Sequence, residues 1–198
     1  METFNQAMFL YLNAPANAGA FVLAVTRVLA EDLIWIVPAG LLIGWLRGGD
    51  AMRRTMLQAT TTGIVALTCA QLIGMVWPHP RPFMIGLGHV YLAHVADASF
   101  PSDHLTLWWA GSFSLLTCRQ VRTAGVVMSP LGLPIAWARV YLGVHFPLDM
   151  AGAAGVALLS ATVSMHYRVR YMAPLFTAAT SLHRTLFAPL IQRGWLRS

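Results

Sequence analysis

The stretch Phe100-Pro101-Ser102-Asp103-His104 places three polar side chains at the start of an apolar segment. Upstream lies Pro80-Arg81-Pro82-Phe83, and downstream, past one further apolar segment, lies a run from Arg139 to Asp149 that includes His145. These three polar motifs bring arginine, serine, histidine and aspartate to the ends of apolar segments. In so apolar a chain, this clustering indicates a functional site.

The composition is that of a membrane protein. Of the 198 residues, 57% are hydrophobic and 10% are charged, whereas a soluble domain has about 25% charged residues. Mean hydropathy is +0.62, and several apolar stretches approach the about 20 residues that cross a bilayer. We therefore predict one all-α, polytopic membrane domain over residues 1–198, with about six transmembrane helices.

The apolar pattern predicts the position of each segment. The N-terminal part holds a short amphipathic helix over 3–13 and two short helices over 17–30 and 32–46, which turn near Glu31 and Asp32. The predicted longer spans cover 55–77, 102–118, 123–142 and 146–166. Residues 171–198 are interpreted as an interfacial amphipathic tail.

The charge pattern predicts the orientation. The formal charge is +6 and the chain has no lysine. The basic residues lie between apolar runs, which suits membrane topology better than nucleic-acid binding. One face of the predicted topology carries Arg47, Arg53, Arg54, Arg119, Arg122, Arg168 and Arg170. By the positive-inside rule that face and the tail are cytoplasmic, so the polar motifs lie on the outer face.

The residue types of the motifs suit phosphate chemistry. Arg81 and Arg139 carry forked donors that match phosphate oxygens. Ser102 precedes a predicted helix, whose N-terminus presents free N–H groups and a partial positive charge. His104 follows closely enough to transfer a proton.

The pair His145 and Asp149 suits nucleophilic catalysis. The two residues lie about one helical turn apart, so the carboxylate can accept from one imidazole nitrogen and leave the other free. A nucleophile, a proton donor and two fixed cations together predict phosphoryl transfer. Cys69 and Cys118 lie in separate apolar segments without metal-ligand spacing, and we predict no metal site.

The three motifs resemble a known family. Arg81-Pro82, Pro101-Ser102-Asp103-His104 and the run that joins Arg139, His145 and Asp149 are similar, in order and spacing, to the motifs of the type-2 phosphatidic acid phosphatases. The resemblance implies a helical core shared with vanadium haloperoxidases. It also implies a mechanism without a metal or other cofactor.

The resemblance also implies the role of each residue. It implies that His145 attacks phosphorus to form a phosphohistidine, that Asp149 orients His145, and that His104 protonates the leaving group. The phosphoryl oxygens would be held by Arg81, Ser102 and Arg139.

The chain departs from the family pattern at three positions. Gly74 stands where the family usually has lysine, Asp103 where it commonly has glycine, and Ala138 where it commonly has serine. His79 is a candidate replacement for the lysine. Asp103 and Asp97 are further candidate site residues, although a carboxylate beside a phosphate must pair with a cation to avoid repulsion.

Other polar residues near the motifs receive weaker assignments. Glu31 is a minor candidate for contact with the site. His89 and His94 are interpreted as loop histidines that could gate the site rather than as phosphate ligands. The pair Trp108-Trp109 is interpreted as packed or facing lipid rather than as a substrate platform.

Within the family, the chain resembles the undecaprenyl-diphosphate phosphatases, in particular the enterobacterial type. The similarity lies in residues 78–83, 96–104 and 193–197. It implies hydrolysis of undecaprenyl diphosphate to undecaprenyl phosphate at the outer face of the bacterial inner membrane, which recycles a cell-wall lipid carrier and confers bacitracin resistance. The implied partners are a polyprenyl diphosphate and membrane lipids, not nucleic acid.

Three alternatives remain open from the residues. The enzyme could act on phosphatidylglycerol phosphate or phosphatidate. It could also transfer the phosphoryl group to lipid A, because either a lipid or water can attack a phosphohistidine. A transporter or scaffold without catalysis is disfavoured, because the motifs converge on one face in catalytic order.

Overall fold

The structure, a computed structural model, describes residues 1–197. That part of the chain is helical and contains no β-strand, which confirms the predicted all-α class. The α-helices are α1 Glu2–Leu12, α2 Ala20–Arg27, α3 Ile36–Arg47, α4 Asp50–Val76, α5 Asp103–Leu116, α6 Arg122–Tyr141, α7 Pro147–Leu186 and α8 Ala188–Gln192. A π-helical turn covers Val28–Asp32, and 3-10 turns cover Leu33–Trp35 and Pro82–Ile85.

Helix α5 forms the centre of the bundle, where it packs against α4, α6 and α7. Two glycines of α6 permit close approach to α5. A Cβ atom on Gly132 would lie 2.2 Å from the indole nitrogen of Trp109, and one on Gly125 would lie 2.9 Å from the carbonyl oxygen of Ser112. Small residues at helix interfaces allow the van der Waals packing on which membrane helix bundles depend.

The two tryptophans of α5 are packed inside the bundle. Trp108 is fully buried, and its indole N–H donates to the backbone oxygen of Met128 at 2.8 Å. Trp109 donates in the same way to Ser129 at 3.0 Å. Both residues therefore tie α5 to α6, as the packed interpretation predicted.

The outer surface of the bundle suits a lipid environment. Large apolar side chains are exposed along the long helices, for example Ile64 and Leu72 on α4 and Leu159 and Val169 on α7. Within the described chain, α4 and α7 are the two helices both long and apolar enough to cross a membrane. The arrangement with six spans remains a prediction.

Two segment boundaries differ from the prediction. Residues 20–47 keep helical backbone angles through Glu31 and Asp32, where the chain forms π and 3-10 turns instead of a break between two helices. Helix α7 does not end near 166 but continues to Leu186. It continues because Phe176 and His183 are buried and both ring systems contact Trp45 of α3.

The chain direction brings four helix ends together. Helices α4 and α6 end where α5 and α7 begin, and the loop between α4 and α5 crosses the same end of the bundle. The three polar motifs lie at these ends. The fold thus gathers residues that are far apart in sequence.

Candidate active site

His145 and Asp149 form a buried pair at the start of α7. His145 lies just before Pro147, the first residue of α7, and Asp149 lies in its first turn. The Nδ1 atom of His145 is 3.2 Å from the Oδ2 atom of Asp149. The backbone N–H of Phe146 donates to that same carboxylate oxygen at 2.7 Å, which fixes the carboxylate at the helix N-terminus.

The other ring nitrogen of His145 faces two arginines. Its Nε2 atom lies 2.9 Å from Nη1 of Arg81 and 3.4 Å from Nη2 of Arg139. A guanidinium group only donates, so Nε2 must accept, and the ring proton resides on Nδ1, where Asp149 accepts it. Burial, followed by the charges of Arg139 and Arg81, lowers the pKa of His145 well below its usual value and keeps the ring neutral. The free electron pair of Nε2 is therefore aimed between two cations.

Arg81 is held by the loop that precedes α5. Its Nε atom donates to Asp97 at 2.8 Å, and its Nη1 atom donates to the backbone oxygen of Val144 at 3.0 Å. The loop is itself anchored, because the N–H of Ser99 donates to the backbone oxygen of His79 at 2.8 Å. Asp97 thus orients Arg81, which resolves the expected repulsion between this carboxylate and a phosphate.

Arg139 reaches the site from the last turn of α6. Its Nη1 atom donates to the backbone oxygen of Ala30 at 3.0 Å, inside the π-helical turn. Such turns occur often at functional sites. The Nε atom of Arg139 is buried and has no hydrogen-bond partner within residues 1–197. The π-helical turn near Glu31 therefore provides a backbone acceptor that helps to position Arg139.

The start of α5 supplies two more of the predicted residues. Ser102 is fully buried, and its hydroxyl has no hydrogen-bond partner among the described residues. His104 lines a cavity of about 440 Å³ together with Glu31, His94 and Arg139. A cavity lined by an arginine and two histidines suits an anionic ligand, and the unpartnered hydroxyl of Ser102 lies two residues before His104.

Two predicted residues form their hydrogen bonds with partners other than the site arginines. The Nε2 atom of His79 contacts the carboxylate of Glu2 at 3.2 Å, and its ring packs on Phe146. Asp103 accepts from the amide of Gln71 at 2.7 Å, beside a second cavity that Gly74 also lines. Neither side chain hydrogen-bonds to the two site arginines in the described chain, but the carboxylate of Asp103 lies close enough to interact electrostatically with both.

Two residues at the site were not among the predicted catalytic or phosphate-binding residues. The hydroxyl of Ser99 donates to Asp149 and lies 3.4 Å from Nδ1 of His145. The Nε2 atom of His94 lies 3.2 Å from Nη2 of Arg139. The signal available for Ser99 was its position at the start of the motif Ser99–His104, together with the need of the Asp149 carboxylate for donors. No feature of the sequence distinguished His94 from His89.

Residues 55–173 match the model of the PAP2 superfamily. The chain belongs to the PAP2 superfamily. The matched region contains all three polar motifs, the whole of α5 and α6 and most of α4 and α7, and the predicted family is confirmed.

Named PAP2 relatives extend the similarity beyond the motifs. YbjG of Escherichia coli (strain K12), named as a candidate undecaprenyl-diphosphatase, is 34% identical over 100% of this chain and 99% of its own. The undecaprenyl-diphosphatase BcrC of Bacillus subtilis (strain 168) is 39% identical over 78% of this chain and 79% of its own.

A solved structure supports the fold. The crystal structure of Aquifex aeolicus LpxE aligns with a TM-score of 0.65 at 17% identity, over 83% of this chain and 96% of that one. At this identity the match concerns the PAP2 fold alone.

Proposed function

We propose that this PAP2 protein is an undecaprenyl-diphosphate phosphatase of the bacterial inner membrane. The observation that carries the proposal is the geometry of His145, whose Nε2 atom faces Arg81 and Arg139 while Nδ1 faces Asp149. The names of the relatives YbjG and BcrC support the substrate. The products are undecaprenyl phosphate and inorganic phosphate.

In the first step, Nε2 of His145 attacks the terminal phosphorus and the bond to the bridging oxygen breaks. Undecaprenyl phosphate leaves with that oxygen, which His104 protonates from the cavity side. The Nδ1 proton remains hydrogen-bonded to Asp149, so the carboxylate stabilises the positive ring of the phosphohistidine. Arg81, Arg139 and the Ser102 hydroxyl hold the phosphoryl oxygens, where negative charge is concentrated.

In the second step, water attacks the phosphohistidine. His104 accepts a proton from that water, the phosphorus–nitrogen bond breaks, and inorganic phosphate leaves. His145 recovers its neutral form with Nδ1 protonated, ready for the next substrate. Two arginines supply the charge in both steps, so the proposed chemistry requires no metal ion.

The proposed placement in the membrane follows the charge pattern. We place the site on the periplasmic face and the arginine-rich loops and C-terminal tail in the cytoplasm, with six spans in a single domain. The apolar surfaces of the long helices would hold the prenyl chain, while the diphosphate enters the cavity lined by His104 and Arg139. The activity would recycle the lipid carrier and confer bacitracin resistance.

The test is phosphate release by the purified protein in detergent with EDTA present. Undecaprenyl diphosphate is compared with phosphatidylglycerol phosphate, and the variant His145→Ala serves as the blank. We expect EDTA-resistant release from the prenyl diphosphate and a loss of at least about a thousandfold in the variant. Preference for the glycerolipid would overturn the substrate, and full activity of the variant would overturn the nucleophile.

A further inference from the structure

His94 is held in a fixed position at the mouth of the site. The loop that carries it is pinned two and three residues earlier. Leu92 is buried against Ala30 and Leu142, and the Tyr91 backbone accepts from Arg27 at 3.0 Å and donates to Leu142 at 3.0 Å. The side chain of His94 is 20% exposed. The backbone that carries His94 is therefore fixed by contacts with the helices.

The contacts of His94 define its protonation. Its Nε2 atom faces Nη2 of Arg139 at 3.2 Å and must accept from it. The ring proton then lies on Nδ1, which is 3.2 Å from the backbone oxygen of Val95 and 3.9 Å from Asp97. Burial, followed by the charge of Arg81, lowers the pKa of His94. Without substrate the ring is neutral and occupies a donor of Arg139 that a phosphoryl oxygen would also use.

The position of His94 relative to the nucleophile suggests which phosphate it meets. Its ring centre lies 6.1 Å from that of His145, and it lines the same cavity as His104, the proposed donor to the leaving group. In a diphosphate, the leaving group carries the inner phosphate. His94 thus lies on the side of the leaving group, where His104 and the inner phosphate would be, rather than on the side from which His145 attacks.

The charge balance of the site leaves the inner phosphate without a fixed cation. Arg81 and Arg139 both face Nε2 of His145, where they would hold the terminal phosphate. A bound diphosphate adds negative charge next to His94, which favours uptake of a proton by the ring. The protonated ring would donate from Nε2, which currently accepts from Arg139.

We propose that His94 binds the inner phosphate of the substrate and selects diphosphates over phosphate monoesters. This inference rests on the proposed function, because it assigns a second phosphate to the same site. A phosphate monoester has no inner phosphate and gains nothing from His94. The loop histidine thus supplies a donor that is charged only when a diphosphate is bound.

The experiment compares His94→Ala and His94→Gln with the wild type on a prenyl diphosphate and on the matching prenyl monophosphate. His89→Ala is the control, because His89 is an exposed histidine of the same loop. Loss of a charge-assisted hydrogen bond should reduce the ratio of kcat/KM for diphosphate over monophosphate at least about tenfold. His94→Gln, which donates without a charge, should restore part of the ratio, and His89→Ala should leave it unchanged.

The pH dependence gives a second readout. The groups that face His94 are Arg81, Asp97, His104, Arg139, His145 and Glu31. The pKa of His94 lies below its ordinary value in the free enzyme, and a bound diphosphate would raise it, so KM for the diphosphate should rise as the pH increases through neutrality in the wild type, and His94→Ala should remove that component of the rise. An equal loss on both substrates, or an unchanged ratio, would overturn the role of His94. Wild-type release from the monophosphate alone would instead overturn the proposed function.

Discussion

At the scale of single residues, the motifs predicted which side chains meet but not all that support them. Arg81, Arg139, His145 and Asp149 were named from their spacing, and the structure brings all four together. Spacing within a motif could not show that Ser99 bonds to Asp149, because that contact depends on how a loop folds over the start of α7. The contact of His94 with Arg139 was unpredictable for the same reason.

Ser99 is a positioning residue in the pair formed by His145 and Asp149. Its hydroxyl donates to the carboxylate oxygen that also accepts from His145. Ser99→Ala should therefore lower kcat about tenfold or more, since hydrogen bonds to charged groups contribute about 1.5–3 kcal/mol. KM should change little, because Ser99 does not face the phosphate position. Steady-state kinetics measure kcat and KM, and the amplitude of the burst reports how much phosphohistidine forms.

The matched control for Ser99 is Ser112→Ala in α5. Ser112 is equally buried, but its hydroxyl donates only to the backbone of its own helix, at Trp108. Its replacement should leave kcat unchanged. A rise in KM with an unchanged kcat in Ser99→Ala would contradict the positioning role.

At the scale of elements, the helix cores were predictable and the helix ends were less so. The helices α4, α5 and α6 follow apolar runs and lie close to the predicted segments 55–77, 102–118 and 123–142. The length of α7 was not predicted, because Arg168 and Arg170 resemble a membrane boundary in sequence. Helix α7 continues past these arginines because Phe176 and His183 contact α3. No local sequence pattern reveals these contacts.

His183 joins three parts of the chain at the end of the bundle away from the site. Its Nδ1 atom accepts from the indole of Trp45 at 3.3 Å, and its Nε2 atom lies 3.0 Å from the backbone oxygen of Arg197, which also accepts from Arg53. Along α4, Arg53 is separated from Gly74 at the site end by about 30 Å, at about 1.5 Å per residue. This network therefore bears on stability rather than on chemistry.

We expect His183→Ala to lower the thermal unfolding temperature in detergent and to leave kcat unchanged below the transition. The variant leaves the part-buried indole N–H of Trp45 without its acceptor, which costs up to about 1–3 kcal/mol, the penalty for a buried donor. His166→Ala, an exposed histidine on the same helix, should unfold like the wild type. An altered kcat with normal stability would show that this end of the bundle communicates with the site.

At the scale of the whole molecule, α5 relates the site to the membrane. Its 14 residues span about 21 Å, less than the about 30 Å of a hydrocarbon core. One end carries His104, and the loop beyond the other end carries Arg119 and Gln120. Because α5 is shorter than the hydrocarbon core, the loops at its two ends would complete the crossing, and the loop over residues 77–102 would carry the path from the site to the headgroups, where a diphosphate can enter while the prenyl chain stays in the bilayer.

The two ends of α5 should therefore be accessible from opposite sides of the membrane. In a protein with Cys69 and Cys118 replaced, single cysteines at Val95 and Gln120, both exposed loop positions, report the two sides. A membrane-impermeant maleimide should label Val95→Cys in intact spheroplasts and Gln120→Cys only after lysis, because arginine-rich loops remain in the cytoplasm. Phosphate release by each variant verifies that it is folded. The reverse pattern would invert the topology, and labelling of both cysteines in intact spheroplasts would show that α5 does not separate two compartments.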